Sequence, residues 1–348
     1  MLIGPSVRDR LRWGVLGNAT IARRCVIPAI QSSSNGEVLT LASRSPEAAR
    51  VTAEAHAIPR LYPSYDAVLA DPDVDAVYIP LPNHLHRPWT LKALAAGKHV
   101  LCEKPLACSA AEAAEMGAAA DRHGRLLMEA FMYRFHPRSR RVRDLVTSGA
   151  IGRPRLVHTA FCFAMDPQVL ADGTAPRLRP EMGGGALLDL GCYGVSVARW
   201  LLGAEPAEVQ AMALYHPGGA DLTTIAALRF GDDALATVEA SFVAGLRQTY
   251  SITGDRGSVE LPHDAFIPWE KDAELTVRGP DDERGTREVV PGVDEYRLMV
   301  EHFADAAAGR APLAYRWEES LANMRVLDAI AHAARSGAVV RPSGSGGT

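Results

Sequence analysis

The sequence predicts an α/β chain of two domains, a doubly wound parallel sheet of Rossmann type followed by an α+β domain with a largely antiparallel sheet. Three observations carry this. The 348 residues leave room for two domains at about 100–200 residues each, and 47% are apolar, enough for real cores. From residue 11 to about 131, short continuous apolar runs alternate with longer alanine-rich helical segments, the rhythm of parallel strands covered on both faces. Beyond Phe131, strand-like runs punctuated by glycine and aspartate turns take over.

In the first domain, placed at 1–130, strands are expected at 12–16, 38–42, 74–81, 99–102 and 126–130. Helical patterns fill 21–33, 46–57, 85–96 and 110–123 between them. The second domain, placed at 131–340, opens with helices at 138–147, ending at Gly149, and at 186–202 after the glycine triplet Gly183–Gly184–Gly185. Strands follow at 209–215, 223–230, 234–242, 249–253 and 258–261, with Gly231-Asp232-Asp233 and Gly254-Asp255-Arg256-Gly257 as tight turns between antiparallel neighbours. Helices at 294–308 and 317–335 close the chain, and 341–348, glycine- and serine-rich from Ser343, is expected to be a disordered tail. No internal repeat is present.

Charge and composition exclude several classes. Lys plus Arg is 37 against 41 for Asp plus Glu, a net charge of −4, which disfavours nucleic acid or an anionic membrane as partner. No uncharged apolar run reaches the roughly 18 residues of a membrane span, and the first ten residues lack the order of a signal peptide. A cytoplasmic protein is the expectation. Cys25, Cys102, Cys108, Cys162 and Cys192 are odd in number and scattered, so they read as small apolar residues in a reducing compartment. No clustered His, Asp and Glu spacing suggests a metal.

The first functional motif is Gly17-Asn18-Ala19-Thr20-Ile21-Ala22, between a strand and a helix. A dinucleotide loop needs a tight turn, a small residue where backbone meets pyrophosphate, and another where helix meets strand. Gly17, Ala19 and Ala22 supply all three, although Ala19 brings a methyl where a second glycine is usual. At the end of the second strand stands Ser43-Arg44-Ser45 instead of a carboxylate for the ribose hydroxyls. A guanidinium and hydroxyls suit a 2′-phosphate, so NADP is expected over NAD.

Further on come Leu81-Pro82-Asn83-His84-Leu85-His86 and Cys102-Glu103-Lys104-Pro105, then Met128-Glu129-Ala130-Phe131-Met132-Tyr133-Arg134-Phe135-His136-Pro137, and the glycine triplet followed by Asp189-Leu190-Gly191-Cys192-Tyr193. Taken with the loop, these motifs make nearly the whole chain resemble the glucose-fructose oxidoreductase, inositol dehydrogenase and rhizopine-catabolism (Gfo/Idh/MocA) family of NAD(P)-dependent oxidoreductases. The Glu-Lys-Pro element is the most specific. The resemblance implies that Lys104 is catalytic, that a cis peptide precedes Pro105, and that Leu81, Pro82, Asn83, His86 and Glu103 lie with the cofactor beside Gly17 to Ile21, Ser43 and Arg44. Tyr193, where many members carry histidine, resembles the branch containing glucose-fructose oxidoreductase and dimeric dihydrodiol dehydrogenase, and the segment Glu129 to Pro137 looks most like the aldose 1-dehydrogenase and dihydrodiol dehydrogenase branch.

The chemistry also follows from the residues. Hydride transfer at a secondary alcohol or ketone leaves a proton to be moved by a positioned acid-base group. Asp189 and Tyr193 are four residues apart in an expected helix, hence on one face. A Lys104 ammonium meeting that face would lower the phenol from its usual pKa of about 10, with Asp189 bonding the substrate or keeping Lys104 charged. Whether Lys104 or Tyr193 is the proton donor is left open by the residues. The arginine run Arg134, Arg138, Arg140, Arg141 and Arg143 reads as a solvated helix face; a sharper reading has Arg134, with Arg177 and Arg179, contact an anionic substrate.

The expected activity is NADP-dependent oxidation or reduction of a sugar or cyclic polyol. The alternatives are a nucleotide-sugar 3-ketoreductase of deoxysugar synthesis, a non-catalytic NADP-binding regulator and a nicotinamide-dependent glycosidase. A homodimer or homotetramer is expected too, because a sheet with helices on one face needs its other face covered.

Overall fold

The computed structural model describes residues 10–282 and 284–342. The chain forms two compact units: one of residues 1–107, 111–132 and 294–320, the other of 108–110, 133–293 and 321–348. The first unit thus includes residues 294–320, which the boundary placed near 130 would assign to the second.

The first unit is built on six parallel strands: β1 (Leu11–Leu16), β2 (Gly36–Ala42), β3 (Arg60–Tyr62), β4 (Ala76–Ile79), β5 (His99–Cys102) and β6 (Leu127–Glu129). Their order is β3-β2-β1-β4-β5-β6, the doubly wound topology. Trp13, Val15, Val77, Tyr78, Ile79 and Leu101 are fully buried, as strands covered on both faces require. Burying each such side chain contributes roughly 1.5–3 kcal/mol. Strand β3 and the helix Tyr65–Ala70, capped by the Ser64 hydroxyl accepting the Ala67 N–H, were not expected from sequence. The expected helix 21–33 is divided into a π-helical turn, Ala22–Val26, and an α-helix, Ile27–Ser32.

The returning segment explains its membership through its contacts. Phe303, on the helix Glu295–Ala307, lies 5.2 Å from the buried Trp13 ring, and Asn35 donates to the Glu301 carbonyl and the Asp305 carboxylate, each at 2.8 Å. Tyr315 donates to the Glu129 carbonyl at 2.5 Å and accepts the Phe131 N–H at 3.2 Å, closing the end of β6. Trp317 lies flat on Gly117, where a β-carbon would meet the indole at 2.1 Å.

The second unit holds eight strands: β7 (Pro154–Cys162), β8 (Glu208–Tyr215), β9 (Asp221–Phe230), β10 (Ala234–Ser241), β11 (Arg247–Gly254), β12 (Ser258–Leu261), β13 (Ala273–Arg278) and β14 (Thr286–Val290). Their order is β14-β13-β12-β11-β7-β10-β9-β8, antiparallel throughout except for the parallel pair β7 and β10. Three of these strands, β7, β13 and β14, and the short helix Pro167–Asp172 are additions to the sequence reading. The helix Cys192–Leu202 packs on β7 and β10, so closely at Gly194 that a β-carbon there would meet the Thr159 hydroxyl at 2.4 Å. On the opposite face Met212, Leu214, Ile225 and Leu235 are exposed.

Some details correct the sequence reading. Arg138 is not part of a solvated face: it is 1% exposed and donates to the carbonyls of Asp264 and Glu274. No cysteine is in a disulfide, and Cys25 and Cys108 are half-buried where full burial was expected. Val340 pairs with Val209 and Arg341 with Glu208, so residue 341, expected in a disordered tail, is held by contacts; 343–348 lies outside the described residues. No helix among the described residues is long and apolar enough to cross a membrane.

Two imidazoles are fixed in their neutral form. His99 Nδ1 accepts the Leu126 N–H and His136 Nδ1 accepts the Arg138 N–H, each at 3.0 Å, and burial pushes both pKa values down to about 4. The unfolded chain therefore binds protons the folded chain does not between about 6.5 and 4, and stability rises with pH across that window. Urea unfolding at several pH values should show stability lost as pH falls from about 6.5 towards 4, with His136→Asn flattening the slope.

Candidate functional site

In the first unit the parallel order β2-β1-β4-β5 puts the C-terminal ends of four neighbouring strands along one edge of the sheet. The segments that follow those ends are Ser43-Arg44, Gly17 to Ile21, Leu81 to Asn83, and Glu103-Lys104. Such an edge is where doubly wound sheets bind nucleotides. Gly17 has φ +119°, which favours glycine, and a β-carbon on it would lie 2.9 Å from the Leu81 side chain and 3.7 Å from the Tyr65 hydroxyl. The turn therefore needs glycine, for its φ and for its packing against Leu81, and a glycine turn after a strand end is the backbone cradle that close approach of a pyrophosphate requires.

Not every residue expected there offers its side chain. Asn18 donates to the Ala48 carbonyl at 2.9 Å and accepts from Thr52 at 2.9 Å, tying the loop to the helix Pro46–Ala55. His86 is fully buried with Nδ1 2.8 Å from the Pro105 carbonyl and Nε2 2.8 Å from that of Leu81, so it clamps one edge loop to the next. Burial, helped by the Lys104 charge, pushes its pKa down to about 4 against the pull of those carbonyls.

Glu103 accepts a 2.6 Å hydrogen bond from the fully buried Tyr78 hydroxyl, whose pKa burial and the Glu103 charge raise well above 10. Its second oxygen accepts the Lys104 N–H at 3.3 Å, and the Lys104–Pro105 peptide is cis. The residue missed from sequence is Tyr65, 4.9 Å edge-on from Trp89 and close enough to the Arg44 guanidinium for that charge to oppose the upward push of burial on its phenol. The cap pattern Ser64-Tyr65-Asp66 announces its helix.

The second unit carries the other expected group. Tyr193 opens the helix Cys192–Leu202 and is 3% exposed. Its ring is held among Phe161 and Phe266, each at 5.4 Å, and Tyr133 at 6.0 Å. Asp189 sits just before it in a π-helical turn, Leu187–Gly191, instead of the expected α-helix; such one-residue expansions are frequent at functional sites.

The arginines divide. Arg134 is buried with its guanidinium 5.2 Å from the Trp200 ring, two helical turns from Tyr193, and Arg179 pairs with Glu181 at 2.7 Å. Arg177 is the one that reaches the motif: its Nε donates to Asp189 Oδ2 at 2.6 Å, and its guanidinium lies 5.9 Å from the Phe163 ring.

A doubly wound sheet with a glycine cradle, in a chain that also carries a sheet unit displaying an aspartate and a tyrosine, defines a two-domain dinucleotide-dependent oxidoreductase. Residues 11–131 match the oxidoreductase family with NAD-binding Rossmann fold, and residues 139–260 match the GFO/IDH/MocA C-terminal domain. The chain is 40% identical over 332 residues to a D-xylose 1-dehydrogenase (NADP(+)) of Haloferax volcanii, covering 95% of this chain and 99% of the relative.

Among solved structures it is similar to a 3-ketoreductase from Actinomadura kijaniata in complex with NADP and TDP-benzene, at TM-score 0.86 and 31% identity, covering 93% of this chain and 98% of that one. It is similar also to the aldose-aldose oxidoreductase from Caulobacter crescentus complexed with glycerol, at TM-score 0.86 and 28% identity, covering 95% and 99%. The chain belongs to the GFO/IDH/MocA family of oxidoreductases.

Proposed function

We propose that this protein is an NADP-dependent oxidoreductase acting on a hydroxyl or carbonyl carbon of a sugar or related cyclic polyol. The observation that carries the reading is the edge of the first sheet, where Gly17, Arg44, Leu81 and Lys104 follow neighbouring strand ends. In this reading the first unit binds the dinucleotide and the second binds substrate. The Gly17 cradle takes the pyrophosphate, and Ser43, Arg44 and Tyr65 face the adenosine ribose with its 2′-phosphate. Bound nicotinamide supplies or accepts the hydride.

The protein's own residues handle the proton. Tyr193 delivers it to the carbonyl oxygen during reduction and takes it back during oxidation, with Lys104 the second candidate for that transfer. Asp189 accepts a hydrogen bond from a neighbouring substrate hydroxyl. Tyr193 is rigidly held by its aromatic neighbours, which keeps its hydroxyl in one position for the transfer. The similarity to a 3-ketoreductase supports a second reading, a nucleotide-linked ketosugar as substrate.

Nicotinamide absorbance with NADP and then NAD, against free aldoses, inositols and trans-dihydrodiols, separates the two. Turnover of a free sugar or diol supports the first reading; silence with NADPH still binding supports the second. Lys104→Ala and Tyr193→Phe should each lower turnover at least about a hundredfold while NADPH fluorescence titration shows binding intact; near-normal rates in both would overturn the assignment. Arg44→Ala should weaken NADP more than NAD in the same titration, and equal weakening would remove the NADP argument. The exposed Met212, Leu214, Ile225 and Leu235 favour pairing of that sheet face with a second copy, and light scattering at micromolar concentration should report a dimer or tetramer, a monomer counting against it.

A further inference from the structure

The glycine triplet does more than open a helix. Gly185 donates its N–H to the Arg177 carbonyl at 2.8 Å and Gly184 donates to that of Arg179 at 3.0 Å, so the loop 176–179 is pinned across the triplet. A β-carbon at Gly184 would meet the Pro176 carbonyl oxygen at 2.6 Å and that of Arg177 at 2.7 Å, an overlap with backbone that no rotamer relieves. Gly185 has φ +123°, and a β-carbon there would strike Asp221 Oδ1 at 2.0 Å. The half-buried Asp221 in turn accepts the Leu187 N–H and the Thr224 hydroxyl, each at 2.7 Å, and so fixes the first residue of the turn that carries Asp189. The loop and the turn are thus held in register by backbone contacts, and what that register delivers is one side chain, Arg177, onto one carboxylate, Asp189.

We propose that Arg177 is a positioning residue for the reaction, acting through Asp189: its Nε–H holds the carboxylate in one orientation as an acceptor for a substrate hydroxyl. The inference rests on the proposed oxidoreductase function and on the role given there to Asp189. Arg177 Nε is 2.6 Å from Asp189 Oδ2, close enough to fix the direction in which the carboxylate faces. The attraction is mutual, since the Asp189 charge raises the Arg177 pKa against burial, with Tyr193 contributing in the same direction. Because the guanidinium is already matched by a carboxylate, the pair presents little net charge. It suits a neutral hydroxylated ring better than the anionic group that a bare arginine at this place would select.

The test is a double-mutant cycle on the full-length protein with a substrate found in the sugar and diol panel. Arg177→Gln should lower kcat about 10- to 100-fold, the scale of a lost charge-assisted hydrogen bond, with NADPH affinity unchanged. Asp189→Asn should lower kcat as well, and the double variant should be no slower than Asp189→Asn alone, because a residue acting through Asp189 has nothing left to position. Arg177→Lys, which keeps the charge, should recover at least half of the loss on a logarithmic scale and guards against a folding defect in the glutamine variant. Losses in the double variant that multiply, or a rate for Arg177→Gln equal to that of the wild type, would overturn the inference while leaving the oxidoreductase reading intact. A wild-type protein that binds NADPH but turns over neither the panel nor a nucleotide-linked ketosugar would overturn that reading, and the inference with it.

Discussion

A parallel sheet has no solvent face. The inner strands β1, β4 and β5 are buried on both sides, so the first unit exists only if both layers of cover are supplied. Residues 11–131 supply most of that cover, but Trp13, at the centre of the sheet, has its ring against Phe303, and the end of β6 is closed by Tyr315. The same constraint positions the chemistry. Strands that run in one direction must end at one edge, and the chain places its glycine turn, its arginine and its Glu-Lys-Pro element there because those segments follow strand ends.

The second unit solves a different problem, which is to hold two polar groups still against an apolar helix. Tyr193 is fixed by rings and Asp189 by an ion pair, and both devices depend on close backbone approach. Gly194 lets the helix settle on β7, and Gly184 and Gly185 let the loop carrying Arg177 cross the entry to the π-helical turn. In each case the missing β-carbon contributes by allowing other atoms to come near. That is why the glycines cluster around Asp189 and Tyr193 and are sparse along the rest of the helix.

Much of this was legible in the sequence, and the gaps have physical causes. Continuous apolar runs marked β1, β2, β4, β5 and β6, and turn glycines marked the hairpins between β9 and β10 and between β11 and β12. Strand β3 is three residues long and β13 and β14 carry Glu274 and Arg287, which pair with each other across the sheet edge; short and charged edge strands protect against unwanted pairing and so look like loops. Strand β7 begins with Pro154-Arg155 and acquires its burial only from neighbours far along the chain. Motif residues such as Lys104 and Tyr193 could be named because their motifs resemble those of a known family. The partner of Arg177 could not, because it depends on the path of a loop, and Arg138 and His86 looked like surface or cofactor groups until their carbonyl partners were seen.

The discontinuity of the first unit bears on the order in which the protein is made. Its strands leave the ribosome first, yet the helix Glu295–Ala307 and Tyr315 arrive only after all eight strands of the second sheet have been synthesised. The nascent Rossmann half therefore waits, with Trp13 short of one neighbour, while the later half completes itself. A fragment cut at residue 131 would stay in that waiting state, without the ring and the hydroxyl that complete its cover.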